Sequence, residues 1–176
     1  MRGYIVLTLL SLTAAFIQGQ VLTFDHGTVA FHTSSIVSDI EAVSKEIAVN
    51  LDIQSGSFET RISIASFEFE YEMMQDHFNT EYLESDQYPG ATFIGKIVQD
   101  ISDIQEVMEV DVSGELTMHG VTKPTSFKAT VSKKDGFTCV KCIFPIVFKD
   151  FNVDEPSILT KSVAKDVAVK GLLYLK

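Results

Sequence analysis

The chain has 176 residues, 45 % of them hydrophobic, with 14 Lys and Arg against 24 Asp and Glu and a formal net charge of −10. That charge excludes a general binder of nucleic acid, which needs clustered cations against the phosphate backbone, and the apolar content excludes disorder as the main state. Two cysteines are too few for a disulfide scaffold, and the length fits one globular domain.

Arg2 precedes an apolar run from Ile5 to Phe16, which gives way to Ile17, Gln18 and Gly19. Charge, hydrophobic segment and small residue in that order read as a secretory signal peptide over residues 1–19, cleaved after Gly19. A membrane anchor is the alternative, but about a dozen apolar residues are too short for a hydrocarbon core of roughly 30 Å. Removing the segment takes away Arg2 and no acid, so the mature net charge becomes −11. The expected location is periplasmic or secreted. Residues 20–176 carry no repeat, low-complexity tract or linker, and read as a single domain.

Ile47, Val49, Leu51 and Ile53 alternate with Ala48, Asn50, Asp52 and Gln54, the period of a half-buried strand. From Tyr71 to Leu83 the alternation stops. Met73, Met74, His77, Phe78 and Tyr82 recur there at helical spacing, which predicts one short helix lying across the sheet or closing its end. Pro89-Gly90 ends it before a strand from Ala91 to Val98. Period two returns at Val110–Met118, Phe127–Val131, Val140–Phe148 and Val167–Leu175. His119-Gly120 with Lys123-Pro124, and Lys133-Lys134-Asp135-Gly136, are turn signals between them. Strands joined by short turns pair antiparallel, and about seven to nine of them predict an all-β sandwich or a closed barrel.

The chemistry-bearing residues form no catalytic or metal pattern. His26 and His32 sit six apart on a strand, on one face but roughly 20 Å from end to end. His77 falls in the helix near Asp76 and Glu81, and His119 in a turn that it is expected to stabilise. No H-x-x-x-H or carboxylate spacing completes a metal site. Cys139 and Cys142 are three apart on a strand, so they face opposite sides at about 10 Å, beyond disulfide reach. Cys142 is expected to point inward and Cys139 outward. There is no G-x-S-x-G elbow and no phosphate loop, so a non-enzyme without cofactors is expected.

Met74 to Ile97 reads MQDHFNTEYLESDQYPGATFIGKI, and Leu116 to Pro124 reads LTMHGVTKP. Both stretches resemble the YceI-like family of exported lipid-binding proteins, with weaker agreement at Gly27–Phe31 and Ser66–Phe69. The resemblance implies an extended, antiparallel, lipocalin-like barrel of about eight strands whose interior holds a polyisoprenoid or similar long-chain lipid. In the stretch Phe148-Lys149-Asp150-Phe151, Phe148 stands where longer members often carry the Arg of their Arg-Ser-Asp-Phe, which leaves open a narrower pocket or an empty one.

Twelve Phe remain once the leader is removed, and with the helix Met they suit an irregular apolar guest. The residues expected against lipid are Phe67, Phe69, Met74, His77, Phe78, Phe93, Phe127, Phe144 and Phe148. For His77 two roles stand side by side: a polar contact to a headgroup, or a hydrogen bond tying the helix to the barrel mouth. The acidic exterior reads as a solubility device that limits membrane contact to transient collisions, and a homodimer is compatible with the sequence. The competing function is a barrel filled by its own side chains that acts through its surface, as in envelope stress tolerance. A lipid hydrolase or isomerase would need His77 or His119 in a cavity beside a carboxylate.

Overall fold

The computed structural model describes residues 20–34, 39–153 and 167–176, so the leader expected over residues 1–19 lies outside the described residues. The alternating runs become strands β1 (Val21–Ser34), β2 (Asp39–Ser44), β3 (Ile47–Asp52), β4 (Ser57–Ser63), β5 (Glu68–Phe69), β6 (Gly90–Ile97), β7 (Met108–Met118), β8 (Val121–Lys134), β9 (Phe137–Ile146) and β10 (Val167–Leu175). All described pairings are antiparallel, running β1-β3-β4-β6-β7-β8-β9-β10, and β10 returns to β1 to close an eight-stranded barrel. Of the sandwich and the barrel that the strand pattern left open, the chain forms the barrel, all-β with one short helix, which is the lipocalin-like form that the resemblance implies.

The two short strands extend the wall. Both β2 and β3 pair with β1, at Val29–Ser34 and Val21–Thr23 respectively, so they are two halves of one strand broken at Lys45-Glu46. The neighbouring strand breaks as well, into β4 and β5. Ser44, wholly buried, accepts the Glu46 N–H at 3.2 Å and donates to Ser66 Oγ at 2.7 Å, and Ser66 donates to the Ser63 carbonyl at 2.8 Å. Each break thus satisfies the polar groups that the interrupted ladder releases.

Closure depends on β1 fitting against β10. Phe24 opposes Leu175 and His26 opposes Tyr174, so Asp25 is an extra residue on β1, a β-bulge that bends and twists the strand. Gly27 follows at φ 144°, and a Cβ there would lie 2.2 Å from the Leu172 carbonyl oxygen. A second close approach is the facing pair Gly95 and Gly114, where a Cβ on Gly114 would stand 2.6 Å from Gly95 Cα.

The turns follow the sequence closely, with one correction. His119-Gly120 alone joins β7 to β8, both residues at positive φ, and Asp135-Gly136 joins β8 to β9 in the same way, the geometry that matches strand twist in a two-residue hairpin. Pro124 is no part of a turn; it lies within β8 opposite Glu115. Registered pairing of β8 with β9 covers only Ala129–Lys134, so the missing N–H of Pro124 falls where one edge of the strand is unpaired.

The helix expected over Tyr71–Leu83 is α1 (Glu72–His77), continued by one wider, π-type turn over Phe78–Tyr82. It lies at the barrel end that also holds the β7–β8 turn and a 3₁₀ turn at Phe148–Phe151. At the opposite end the β6–β7 connection sends Ile101 and Ile104, both nearly fully buried, into the core with Leu22 and Leu175. Among the described residues, no helix is long and apolar enough to cross a membrane.

Two outcomes follow. Gly27→Ala should lower the unfolding free energy in urea by about 2–3 kcal/mol, combining a strained φ with a backbone clash. Gly136→Ala, also at positive φ but with open space around its Cβ position, should cost about 1 kcal/mol; equal costs would show that the contact with Leu172 does not matter. In the β3–β4 turn, Asp52 accepts the Ser55 and Gln54 N–H groups at 2.9 Å each, and the Ser55 bond above all holds its carboxyl below the usual 3.8. A depressed carboxylate stabilises the fold above its unfolded pKa and loses that contribution as pH falls. The thermal midpoint of Asp52→Asn should therefore fall less than that of the parent between about pH 5 and about pH 3.

Candidate functional site

Inward positions on the strands, read off the register, are hydrophobic on nearly every element. They do not meet at the axis. They enclose a cavity of about 170 Å³ that extends from Leu51 and Leu175 at its floor to Phe78, Leu83 and Phe148 beneath the helical end. Among the described residues that line it there is no charged side chain, and Thr60 and Thr92 supply the hydroxyls.

Two groups of phenylalanines shape this space. The first gathers around Phe31, whose ring centroid lies 5.3 Å from Phe67, 5.5 Å from Phe69, 5.2 Å from Phe78 and 6.4 Å from Phe148. These rings come from β1, the segment before β5, β5 itself, the helical turn and the 3₁₀ turn, and they form a cap at the helical end. The second is a belt along one wall, Phe58 to Phe93 at 5.3 Å, Phe93 to Phe127 at 5.5 Å and Phe127 to Phe144 at 4.1 Å with the last two rings parallel within 5°. Offset and tilted rings at these distances pack favourably beyond the area they bury.

Of the residues expected against lipid, Phe67, Phe78, Phe93, Phe127, Phe144 and Phe148 lie on the cavity wall. Phe69, Met74 and His77 do not. Phe69 stands behind the wall, 4.9 Å from the Phe78 ring. The helix turns Phe78 and Leu83 inward, and this leaves Met74 half-buried one turn outward and His77 exposed. Phe31 and Phe58 are the principal wall residues absent from that set; Phe31 lies in an unbroken apolar run, Val29-Ala30-Phe31, that shows no alternation, whereas Phe58 stands on the alternating face Phe58-Thr60-Ile62 and that signal was available.

His119 does stabilise its turn, and also reaches well beyond it. Its Nδ1–H donates to the Phe151 carbonyl at 3.2 Å, its Nε2 lies 2.8 Å from a Glu84 carboxylate oxygen, and its ring packs 4.3 Å from Tyr88. With 9 % of the side chain exposed, it clasps the β7–β8 turn to the segment after the helix and to the 3₁₀ turn that carries Phe148. His119 has a carboxylate beside it, yet neither His119 nor His77 lines the cavity.

Cys142 points inward onto Gly171, whose missing Cβ would sit 2.7 Å from its Sγ, and burial pushes the thiol up to about 11. Cys139 has the outward register that was expected, but it is not on the surface: its exposure is 1 %. Tyr174 and Ser132 flank it across the strands, and Tyr174, His26 and Phe137 pack their rings together on that side. Among the described residues, no three of His, Cys, Asp and Glu are grouped to hold a metal ion. The cavity therefore offers contact and desolvation to an apolar guest, with no charged group among the described residues of its wall.

Comparison with known proteins places this geometry in a group. BcnA of Burkholderia cenocepacia superposes with a TM-score of 0.73 at 22 % identity, over 84 % of this chain and 95 % of that one. A polyisoprenoid binding domain from Saccharophagus degradans superposes with a TM-score of 0.74 at 16 % identity, over 90 % of this chain and 99 % of its own. These likenesses are of fold. A UPF0312 protein of Pseudomonas putida is 30 % identical over 103 residues, which is 53 % of this chain and 50 % of that protein; the matched part thus spans about half the length of the curated relatives. The model of the YceI-like domain matches residues 20–173, and the chain belongs to the YceI-like domain family.

Proposed function

We propose that this protein is an exported, non-enzymatic binder that takes the apolar chain of a lipid, a polyisoprenoid by preference, into its barrel. The observation that carries the reading is the cavity itself, enclosed by a closed barrel and walled without a single charge among its described residues. The fold neighbour from Saccharophagus degradans, described as a polyisoprenoid binding domain, supports the ligand class, and the leader-like residues 1–19 support export to the periplasm or the exterior. The reading of a barrel packed solid by its own side chains is disfavoured by the same cavity.

The energetics suit exchange. Burying five isoprene carbons is worth roughly 3–4 kcal/mol against water, at about 0.8 kcal/mol per methylene-sized group. Against a bilayer interior the gain is near zero, so a guest can be returned as readily as it is taken. Glu72, Asp76 and Glu81 are exposed on the helical cap and repel anionic headgroups, which favours brief contact with a membrane over adhesion.

Lipid extracted from protein purified out of its native host should contain an apolar-chain species near one per protein. A preparation with nothing above background, and no uptake of added prenyl alcohols, would overturn the reading. The Cys142 thiol, inward and with its ionisation suppressed, should react with iodoacetamide at pH 8 at least about 100-fold more slowly than an exposed cysteine, and added prenyl alcohol should slow it further. Mass spectrometry of the labelled peptides separates it from Cys139.

A further inference from the structure

The cavity is small for the guest that the fold suggests. A cavity of about 150 Å³ lined by aliphatic and aromatic side chains holds one benzene, six carbons. At about 170 Å³ this one has room for about seven, between one and two isoprene units. Pockets that enclose drug-sized ligands are typically about 300 Å³ or more.

The belt of phenylalanines accounts for the narrowing. Strands β6 and β8 flank β7, so they stand about 9.6 Å apart at the usual strand spacing. Phe93 on β6 opposes Leu116 and Phe127 on β8 opposes Val112, four residues apart along β7, yet their rings lie only 5.5 Å apart, so both side chains reach over Gly114 between those positions. Gly114 on β7 and its partner Gly95 leave the wall thin at that level, and Phe58 settles on the Gly95 face, its Cζ 3.0 Å from where a Cβ would be. Phe144 stacks on Phe127 and holds it in place. The strands across the barrel contribute the smaller Val29, Val49 and Val169 to the cavity wall. Beneath this level the floor is closed by Leu51 and Leu175, with Ile101 and Ile104 behind them in the core.

We infer that the barrel admits only the terminal one to two isoprene units of an apolar chain, and that the Phe93–Phe127 pair meeting over Gly114, backed by Phe144, sets this limit. The rest of the chain and its headgroup stay outside, in contact with the bilayer or solvent. The inference rests on the lipid-binding reading and deepens it, since it makes Phe127 a determinant of how much chain is accepted.

The test is the affinity of the mature protein for prenyl alcohols of one to four isoprene units, measured below their aggregation limits by displacement of an environment-sensitive fluorophore. While units enter the barrel, each should tighten binding by on the order of several hundredfold, from about 0.8 kcal/mol per methylene-sized group and 1.4 kcal/mol per tenfold. Beyond the second unit the gain should drop to less than about threefold per unit. Phe127→Ala removes about a benzene's volume of side chain and should move that break out by one unit. Phe144→Leu, a milder change, should move it in the same direction by less, and Phe137→Leu on the outer face should leave it in place. Far-UV circular dichroism and urea midpoints establish that each variant is folded before its affinity is compared. A gain of several hundredfold persisting through the fourth unit overturns the limit while leaving lipid binding intact, and so does an unchanged break in both folded Phe127 and Phe144 variants. No binding at any length removes the lipid-binding reading itself and the limit with it.

Discussion

Every other feature of this molecule depends on the hydrogen-bonded seam between β1 and β10. These strands are the two ends of the described chain, and until they pair the sheet has two open edges and no interior. The seam is long, from Phe24 opposite Leu175 to His32 opposite Ala168. It includes a bulge at Asp25 and a glycine at φ 144° with the partner backbone pressed against it. The bulge supplies the bend that closure requires, and only a residue without a Cβ lets the two backbones approach that closely.

Once the ring is closed, the inner face becomes a volume, and side-chain size decides whether it is filled. Here large and small residues are segregated. At mid-height, phenylalanines crowd the wall made by β4, β6, β8 and β9, while β1, β3 and β10 present Val29, Val49, Val169 and Gly171 there and keep Phe31, Leu51 and Leu175 for the two ends. An even mixture would interdigitate and leave no void. The segregation leaves unfilled space, and the absence of charge along its described wall makes that space suitable for an apolar guest and poor for water.

The two ends differ in construction. One is stoppered by aliphatic side chains of the core. The other is roofed by segments that are held mainly by side chains: the helical turn through Phe78 and Leu83, and the 3₁₀ turn through Phe148 and Phe151. His119 joins this roof to the strands from a hairpin turn, through Glu84, Tyr88 and the Phe151 carbonyl. Backbone ladders give the wall its rigidity, whereas the roof relies on ring packing and one partly buried imidazole. If either end opens for a guest, the physics favours the roofed one.

Much of the fold was legible because a strand with one buried face writes its period directly into the chain. Ile47–Ile53, Val110–Met118 and Val167–Leu175 show that period, and the two hairpins announce themselves through His119-Gly120 and Asp135-Gly136. Composition likewise excluded a polyanion partner, and the inward phenylalanines of β6, β8 and β9 could be chosen by parity alone. Parity failed on the helix, where Met74 and His77 share the amphipathic segment with Phe78 yet turn away from the cavity, because the angle at which a helix docks is set by what it meets. It misjudged Pro124, whose tolerance depends on an unpaired strand edge, and the burial of Cys139, which depends on Tyr174 and Ser132 on the adjacent strands. It was silent on the Phe93–Phe127 contact across β7, on the reach of His119 to Glu84 and Phe151, and on the volume that remains. The sequence by itself determined which residues face inward along each strand, because that follows from local geometry. Only the tertiary structure decided how far apart the inner faces stand and which rings meet across them, because those distances come from strand number, register and closure, which no single segment contains.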